Sequence, residues 1–244
     1  MGGALRPGEQ ILTGPTARHV ASVLRLRSGD RIVLFDGSGR EFPAQIVRVD
    51  RQEVRVVVGD EVVVIRESPL SVHLALGISR PGIMDLIVQK ATELGVVEIT
   101  PMETERSQGR RSGHRATERL TRWERIAREA ARQCGRNRIP HVAPLAQFSQ
   151  VVREEASPNA LRLICWEEET RRGLKEALTT RVQVAEVSLL IGPEGGFSSA
   201  EVAAAMTAGF HIVSLGPRIL RTETAAIAVV SLLQYEMGDL GVAR

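Results

Sequence analysis

The stretch "SLLIGPEGGFSSAEV", Ser188 to Val202, runs from a short apolar segment through a glycine-rich loop to a helix start at Ser198. Strand, glycine loop and helix in that order are how many α/β proteins cradle a phosphate, because free amide N–H groups and the helix dipole favour an anion. This loop lacks the residues of a phosphate cradle. It has no Gly-Lys-Ser/Thr ending, and Gly192, Gly195 and Gly196 do not follow the G-x-G-x-x-G spacing. Glu194 stands in the middle of the loop, where its carboxylate repels a phosphate. The stretch therefore predicts an α/β fold with a neutral or cationic ligand at the end of this strand.

A second loop of the same kind is "LGPRILRTETAAIAVV", Leu215 to Val230, again between an apolar strand and a helix. Open α/β sheets bind ligands at the C-terminal ends of their strands, where two such loops would meet. Thr222 or Thr224 can cap the last helix, which is expected to start near Thr224, with Glu223 favourable in its first turn. Capping does not account for Arg218 and Arg221, which either face solvent or meet an anionic substrate.

Working outward, residues 71–244 alternate apolar strands with amphipathic helices, as a parallel α/β sheet requires. The strands are "SVHLALGI", "VVEITP", "LRLICW", "VSLLIG" and "HIVSLG". Helices are expected over Ile83–Leu94, closed by Gly95, over Ala116–Cys134, and over Ser199–Ala208, closed by Gly209. In the second of these, Leu120, Trp123, Ala127, Ala130 and Cys134 share one stripe, leaving Arg122, Arg125, Arg128 and Arg132 on the other face. Residues 1–70 read differently. "RIVLF", the turn "DGSG" and "EFPAQIVRV" form a hairpin pattern, "EVRVVV" and "EVVVI" continue it, and a short helix is expected over Ala17–Leu24. The boundary falls near Ser68 to Leu70.

Composition narrows the function classes. Hydrophobic residues make up 43% and charged residues 25% of the 244, too balanced for disorder. No apolar run reaches the roughly 18 residues that span a bilayer, and "MGGALRPGEQ" has no signal-peptide pattern, so a cytoplasmic location is expected. Cys134 and Cys165, without a CxxC or a histidine cluster, indicate no metal site and no disulfide framework. The net charge is only +3, but residues 101–140 hold eleven arginines against five glutamates. That local excess fits either a polyanion partner or a solvated helix face with intrahelical ion pairs.

Four stretches together carry a resemblance: "IMDLIVQKATELGVVEITPMETERS" (83–107), "RWERIAREAARQCGRNRIP" (122–140), "LLIGPEGGFSSAEV" (189–202) and "SLGPRILRTETAAIAVVSLLQ" (214–234). They resemble the RsmE family, bacterial S-adenosylmethionine-dependent methyltransferases acting on N3 of a uridine in 16S ribosomal RNA of the small subunit. "HVASVLRLRSGD" and "DGSGREF" extend the likeness to residues 19–42. The family usually begins with an Arg-aromatic-aromatic strand, which "MGGALRPGEQILTG" lacks, and it often carries a basic residue where Ile83 stands.

The resemblance implies a PUA-like RNA-binding β-barrel over residues 1–70 and a SPOUT-type α/β domain with a trefoil knot over 71–244, assembled as a homodimer. It places S-adenosylmethionine against Leu190, Ile191, Gly192, Glu194, Gly195 and Gly196 of one loop, and against Leu215, Gly216, Ile219, Leu220, Arg221, Thr222, Thr224 and Ala225 of the other. RNA contacts are expected at His19, Arg25, Arg80, Arg106 and Arg218.

The chemistry adds catalytic roles. N3 of uracil becomes a nucleophile only on losing its proton, and the resulting anion spreads onto O2 and O4. A guanidinium matches those oxygens and stays charged at any working pH, which favours Arg221. Glu194 or Glu223 would accept the proton, and either would need a raised pKa to do so efficiently. Alternatively, Glu194 only receives backbone N–H bonds and shapes the loop. A non-catalytic ribosome-assembly protein that keeps the fold is the competing function.

Overall fold

The computed structural model describes residues 5–107, 113–179 and 184–242, with side chains from residue 116 in the middle segment. Two compact units emerge: residues 1–67 with 135–138, and residues 68–134 with 139–244.

The first unit is built on four antiparallel strands, β1 (Gly8–Thr13), β2 (Arg31–Phe35), β3 (Glu41–Val49) and β4 (Glu53–Val58), in the order β1-β4-β3-β2. Alternate residues Phe42, Ala44 and Ile46 of β3 and Val54, Val56 and Val58 of β4 are buried, while their neighbours face out, the period-two pattern of a half-buried sheet. The Asp-Gly turn joins β2 to β3: Asp36 Oδ1 accepts the Ser38 amide at 3.0 Å, and Gly37 adopts φ 89°.

Two expectations here are corrected. In place of one helix over Ala17–Leu24 there is α1 (Gly14–Arg18) followed by a π-helical turn over His19–Val23. Pro15 at the start of α1 sets the earlier beginning, and Arg25 at φ 54° ends the turn. "EVVVI" is not a strand. Only Val62 pairs, with Glu41, while Val63 is 80% and Ile65 90% exposed. The segment is held beyond Ile65 by side chains instead, through Arg66 to Glu41 and Glu67 to Arg136 at 2.6 Å. Residues 135–138 join this unit by the same means: Arg136 is 5% exposed, and Asn137 donates to the Val64 carbonyl at 3.1 Å.

The second unit contains β5 (Ser71–Gly77), α2 (Pro81–Glu93), β6 (Glu98–Glu103), α3 (Gly113–Cys134), β7 (His141–Val142), β8 (Ala146–Gln147) and α4 (Phe148–Val151). It continues with β9 (Leu161–Cys165), α5 (Leu174–Thr179), β10 (Glu186–Ile191), α6 (Ser199–Thr207), β11 (His211–Val213) and α7 (Thr222–Met237). The main sheet runs β11-β9-β10-β5-β6-β7, with β8 also paired to β6, and each pairing is parallel. Both faces are covered, as a parallel sheet demands. Leu189 and Ile191 of β10 pack with Leu74, Leu76, Ile87 and Val229 on one side, and Leu190 packs with Ala75, Met102, Ile164 and Phe197 on the other.

Helix ends follow local chemistry. Ser198 caps α6, its Oγ accepting the Glu201 amide at 3.3 Å while Glu201 returns a bond to the Ser198 amide at 2.9 Å. Gly95 at φ 86° and Gly209 at φ 86° follow α2 and α6. On α3, Trp123, Ala127 and Ala130 are buried and Arg122, Arg125, Arg128 and Arg132 are exposed. Arg122 pairs with Asp85 at 2.6 Å and Arg125 with Glu129 at 3.0 Å, while Arg128 and Arg132 form no ion pair among the described residues. The last helix begins at Thr222, two residues earlier than expected. Arg221 is its extended N-cap, and no side chain caps it, so neither threonine has that role.

Leu74 sits in the middle of the sheet at 1% exposure. Leu74→Ala is expected to cost about 2–5 kcal/mol in urea unfolding, whereas Arg125→Ala on the exposed face should change it by less than about 0.5 kcal/mol.

Candidate active site

Because β9, β10 and β11 are neighbours and parallel, the chain leaves all three at one edge of the sheet. Their loops, with the start of α2, enclose a cleft of about 900 Å³. From the loop after β10 it is lined by Ile191, Gly192, Pro193, Glu194 and Gly196, and from the segment after β11 by Ser214 to Glu223 and Ala225. Arg80 and Ile83 close one side.

The glycine loop is folded tightly. A Cβ on Gly77, at the end of β5, would stand 2.5 Å from the Pro193 nitrogen, and one on Gly192 would stand 3.3 Å from the Gly196 Cα. Gly196 takes φ 70° and donates its amide to the Pro193 carbonyl at 2.9 Å, closing a turn. Gly216 in the other loop takes φ 105°.

Glu194 faces inward, its side chain 18% exposed. Its Oε1 accepts the amide of Arg80, the N-cap of α2, at 3.1 Å, and the Arg80 guanidinium lies 3.5 Å away. Burial pushes this carboxyl up, but bonds from its own amide, the Arg80 amide and the Ser79 hydroxyl, with the Arg80 charge, outweigh burial and hold it below the usual range. That direction suits an anchor and not a proton acceptor. Glu194 Oε2 and Glu223 Oε2 are buried without a hydrogen-bond partner, and both residues belong to the cleft lining.

Other expected residues fall outside the lining. Leu190 points into the core beneath the sheet. Gly195 faces away, against Arg106, whose Nη1 donates to the Gly195 carbonyl at 3.1 Å. Thr224 is exposed on α7 and does not line the cleft. Arg218 and Arg221 are exposed and line it, as do Leu215, Gly216, Ile219, Leu220, Thr222 and Ala225. His19 and Arg25 belong to the first unit.

Sequence reasoning missed a third wall, "WEEETRRG" after β9, which contributes Trp166, Glu167, Glu169, Thr170 and Gly173. The signal was available, since this loop follows an apolar strand as the other two do; no glycine cluster marks it. Glu169 Oε1 accepts the Arg171 and Arg172 amides at 2.5 and 3.2 Å, bonds that hold its carboxyl low. Glu167 lies over Gly196, where a Cβ would come within 2.9 Å of the carboxyl carbon. Cys165 lines the cleft too, but burial pushes its thiol up to about 12, which excludes it as a thiolate nucleophile at neutral pH. Among the described residues no cluster of His, Cys, Asp or Glu is placed to hold a metal, and no helix is long and apolar enough to cross a membrane.

The second unit is thus a parallel α/β sheet with a cleft at its strand ends, and the first is a small antiparallel sheet. Residues 66–234 match the RNA methyltransferase domain family and residues 12–59 the RNA methyltransferase PUA domain. The chain is 31% identical over 229 residues to ribosomal RNA small subunit methyltransferase E of Bacillus subtilis, covering 92% of this chain and 89% of that one. Identity to the Mycobacterium tuberculosis protein of that name is 35% over 221 residues, with 88% and 82% covered. Among solved structures, methyltransferase E of Neisseria gonorrhoeae bound to S-adenosyl methionine superposes with a TM-score of 0.88 at 33% identity, over 98% of this chain and 97% of that one. A Legionella pneumophila protein in complex with the cofactor SAM gives 0.89 at 40% identity, over 97% and 96%. The chain belongs to the ribosomal RNA small subunit methyltransferase E family.

Gly77→Ala forces Pro193 and the glycine loop to move, and urea unfolding is expected to show a loss of about 1–3 kcal/mol. The Glu194 carboxyl has a folded pKa below its ordinary 4.5. It therefore stabilises the fold above pH 4.5, and that contribution fades as pH falls through the lower folded value. Stability measured from pH 6 down to pH 3 should fall less steeply in Glu194→Gln than in the wild type.

Proposed function

We propose that this chain transfers the methyl group of S-adenosylmethionine to N3 of a uridine in 16S ribosomal RNA of the small subunit. The observation that carries the reading is the cleft at the strand ends, closed by a glycine loop with no phosphate-binding pattern and lined by two carboxylates, Glu194 and Glu223, each with a buried oxygen lacking a hydrogen-bond partner. Those residues fit a cationic donor: two carboxylates line the cleft, and Gly192, Gly196 and Gly216 leave the backbone open to close approach. When bound, the cofactor supplies an electrophilic methyl group on a positively charged sulfur.

The rest is the work of the chain. Ile191, Gly192, Gly196, Leu215, Gly216, Ile219, Leu220, Thr222 and Ala225 form the walls against which the donor packs, and Gly195 and Leu190 support that loop from behind. Glu194 fixes the loop to the start of α2. Arg221, exposed at the mouth of α7, stabilises charge developing on uracil O2 and O4. Glu223, one helical step inside, is the better placed of the two expected proton acceptors, because Glu194 is committed to backbone bonds. Arg218, Arg128 and Arg132, which form no ion pair among the described residues, offer their guanidinium groups to RNA phosphates, while Arg80 reaches RNA only with donors left over from Glu194.

Residues 1–70 would act as an RNA-binding module, with His19 and Arg25 contributing, and 71–244 as the catalytic domain. We read the segment from Leu215 into α7 as the threaded part of a trefoil knot, the protein as a homodimer, and its compartment as the cytoplasm.

Mass spectrometry of 16S RNA from subunits lacking this modification should show a gain of one methyl group on a uridine after incubation with protein and S-adenosylmethionine. No gain, with cofactor binding intact by calorimetry, would instead favour an assembly factor. Arg221→Lys is expected to lower turnover by about 100-fold, the scale of a lost oxyanion donor, while the cofactor dissociation constant stays within about twofold, because lysine keeps the charge but not the planar fork.

A further inference from the structure

The connection after β6, Thr104 to Ser107, leads from the sheet toward the basic helix α3, and its arginine was expected to contact RNA. Its bonds point elsewhere. Arg106 Nη1 donates to the Gly195 carbonyl at 3.1 Å, and the Glu105 amide donates to Glu201 Oε1 at 2.8 Å. Glu201 Oε2 at the same time receives the Ser198 amide at 2.9 Å, so one carboxylate joins this connection to the first turn of α6. Ser107 Oγ accepts the Thr104 amide at 3.0 Å and braces the turn itself. A Cβ on Gly195 would stand 3.1 Å from the Arg106 Cβ, so the two backbones are already in close approach.

We infer that Arg106 and Glu201 are positioning residues for the methyl-donor loop, the Arg106 guanidinium and the Glu105 amide strapping Gly195 and the α6 N-terminus into place. The inference rests on the methyltransferase reading of the cleft. Its physical basis is conformational entropy. A loop with three glycines in five residues has many open states, and each backbone fixed from outside removes part of the cost that cofactor binding must otherwise meet. The Gly192 to Gly196 turn has Glu194 held from the α2 side and Gly195 held from the β6 side. A charged donor on a carbonyl is the stronger kind of hydrogen bond, and arginine reaches it with a planar group whose remaining donors stay available. RNA phosphate is the competing partner for that guanidinium, and the test separates the two.

Three variants of the full chain decide it: Arg106→Ala, Arg106→Lys and Glu201→Gln. Hydrogen exchange of the Gly195 to Phe197 amides in the free protein is the first readout, because it needs neither cofactor nor activity. Exchange there should speed up in Arg106→Ala and Glu201→Gln and return toward wild type in Arg106→Lys, which can still donate to the carbonyl. Calorimetry with S-adenosylmethionine should show about a fivefold weaker affinity for Arg106→Ala, the scale of one charge-assisted bond near the surface, with recovery in Arg106→Lys. In steady state the Michaelis constant for the cofactor should rise while that for small subunits stays unchanged.

Unchanged exchange and cofactor affinity together with weaker subunit binding would overturn the inference and return Arg106 to the RNA. A wild type that binds no S-adenosylmethionine, but whose loop still loosens in Arg106→Ala, would sink the reading of the site and leave the strap standing. If Arg106→Ala does not fold, Glu201→Gln and Arg106→Lys carry the same comparison, and wild-type exchange in Glu201→Gln contradicts the proposal.

Discussion

The site depends on how the chain turns off β10. Ile191 is paired with Leu76 of β5, so the next residues must pass over the end of that neighbouring strand at Gly77. Pro193 lies so close to Gly77 that any side chain there would collide with its nitrogen. Proline limits the backbone, glycine removes the obstacle, and the loop is pressed down onto the sheet edge. Glu194 then falls within reach of the α2 N-cap, and Gly195 within reach of Arg106. A small residue at one position in β5 and a rigid one after β10 thus decide where three loops enclose a cleft.

Electrostatics at that cleft divide between structure and chemistry. Glu194 and Glu169 each spend Oε1 on backbone amides, and those bonds help hold both carboxyls below the usual range. Such carboxylates shape loops and make poor proton acceptors near neutral pH. Glu223 stands at the start of a helix whose first turn no side chain caps, and like Glu194 it has one buried oxygen unsatisfied. On the proposed reading, the anion-stabilising and proton-accepting groups come from the first turn of one element, Arg221 at its N-cap and Glu223 two residues on, while the loop opposite supplies the donor's walls.

Much of this was legible in the sequence. Apolar runs separated by amphipathic segments revealed the parallel sheet, because buried strands and half-buried helices have different periods. Glycine clusters revealed two of the three cleft walls. The third, after β9, escaped because its backbone is fixed by Glu169 through side-chain bonds that leave no compositional mark. "EVVVI" misled because β-branched residues fit a strand only where a partner exists, and Val62 alone found one. The basic segment was ambiguous by nature: Arg122, Arg125 and Arg136 are consumed by ion pairs with Asp85, Glu129 and Glu67, two of them remote in sequence, so a count of arginines overstated the charge left for a partner. The start of α7 moved by two residues for a local reason, since Thr222 is buried as the first helical residue and Arg221 takes the extended N-cap.

The central claim is that the loop after β10 is a methyl-donor site and not a phosphate site. A crystal structure of the protein grown with S-adenosylmethionine tests it most directly. The account predicts the donor against Gly192, Gly196 and Gly216, with a cationic group near Glu194 or Glu223 and the methyl group open toward Arg221. Cofactor seated away from the glycine loop, or a phosphate group lying on the Gly195 and Gly196 amides, would contradict it.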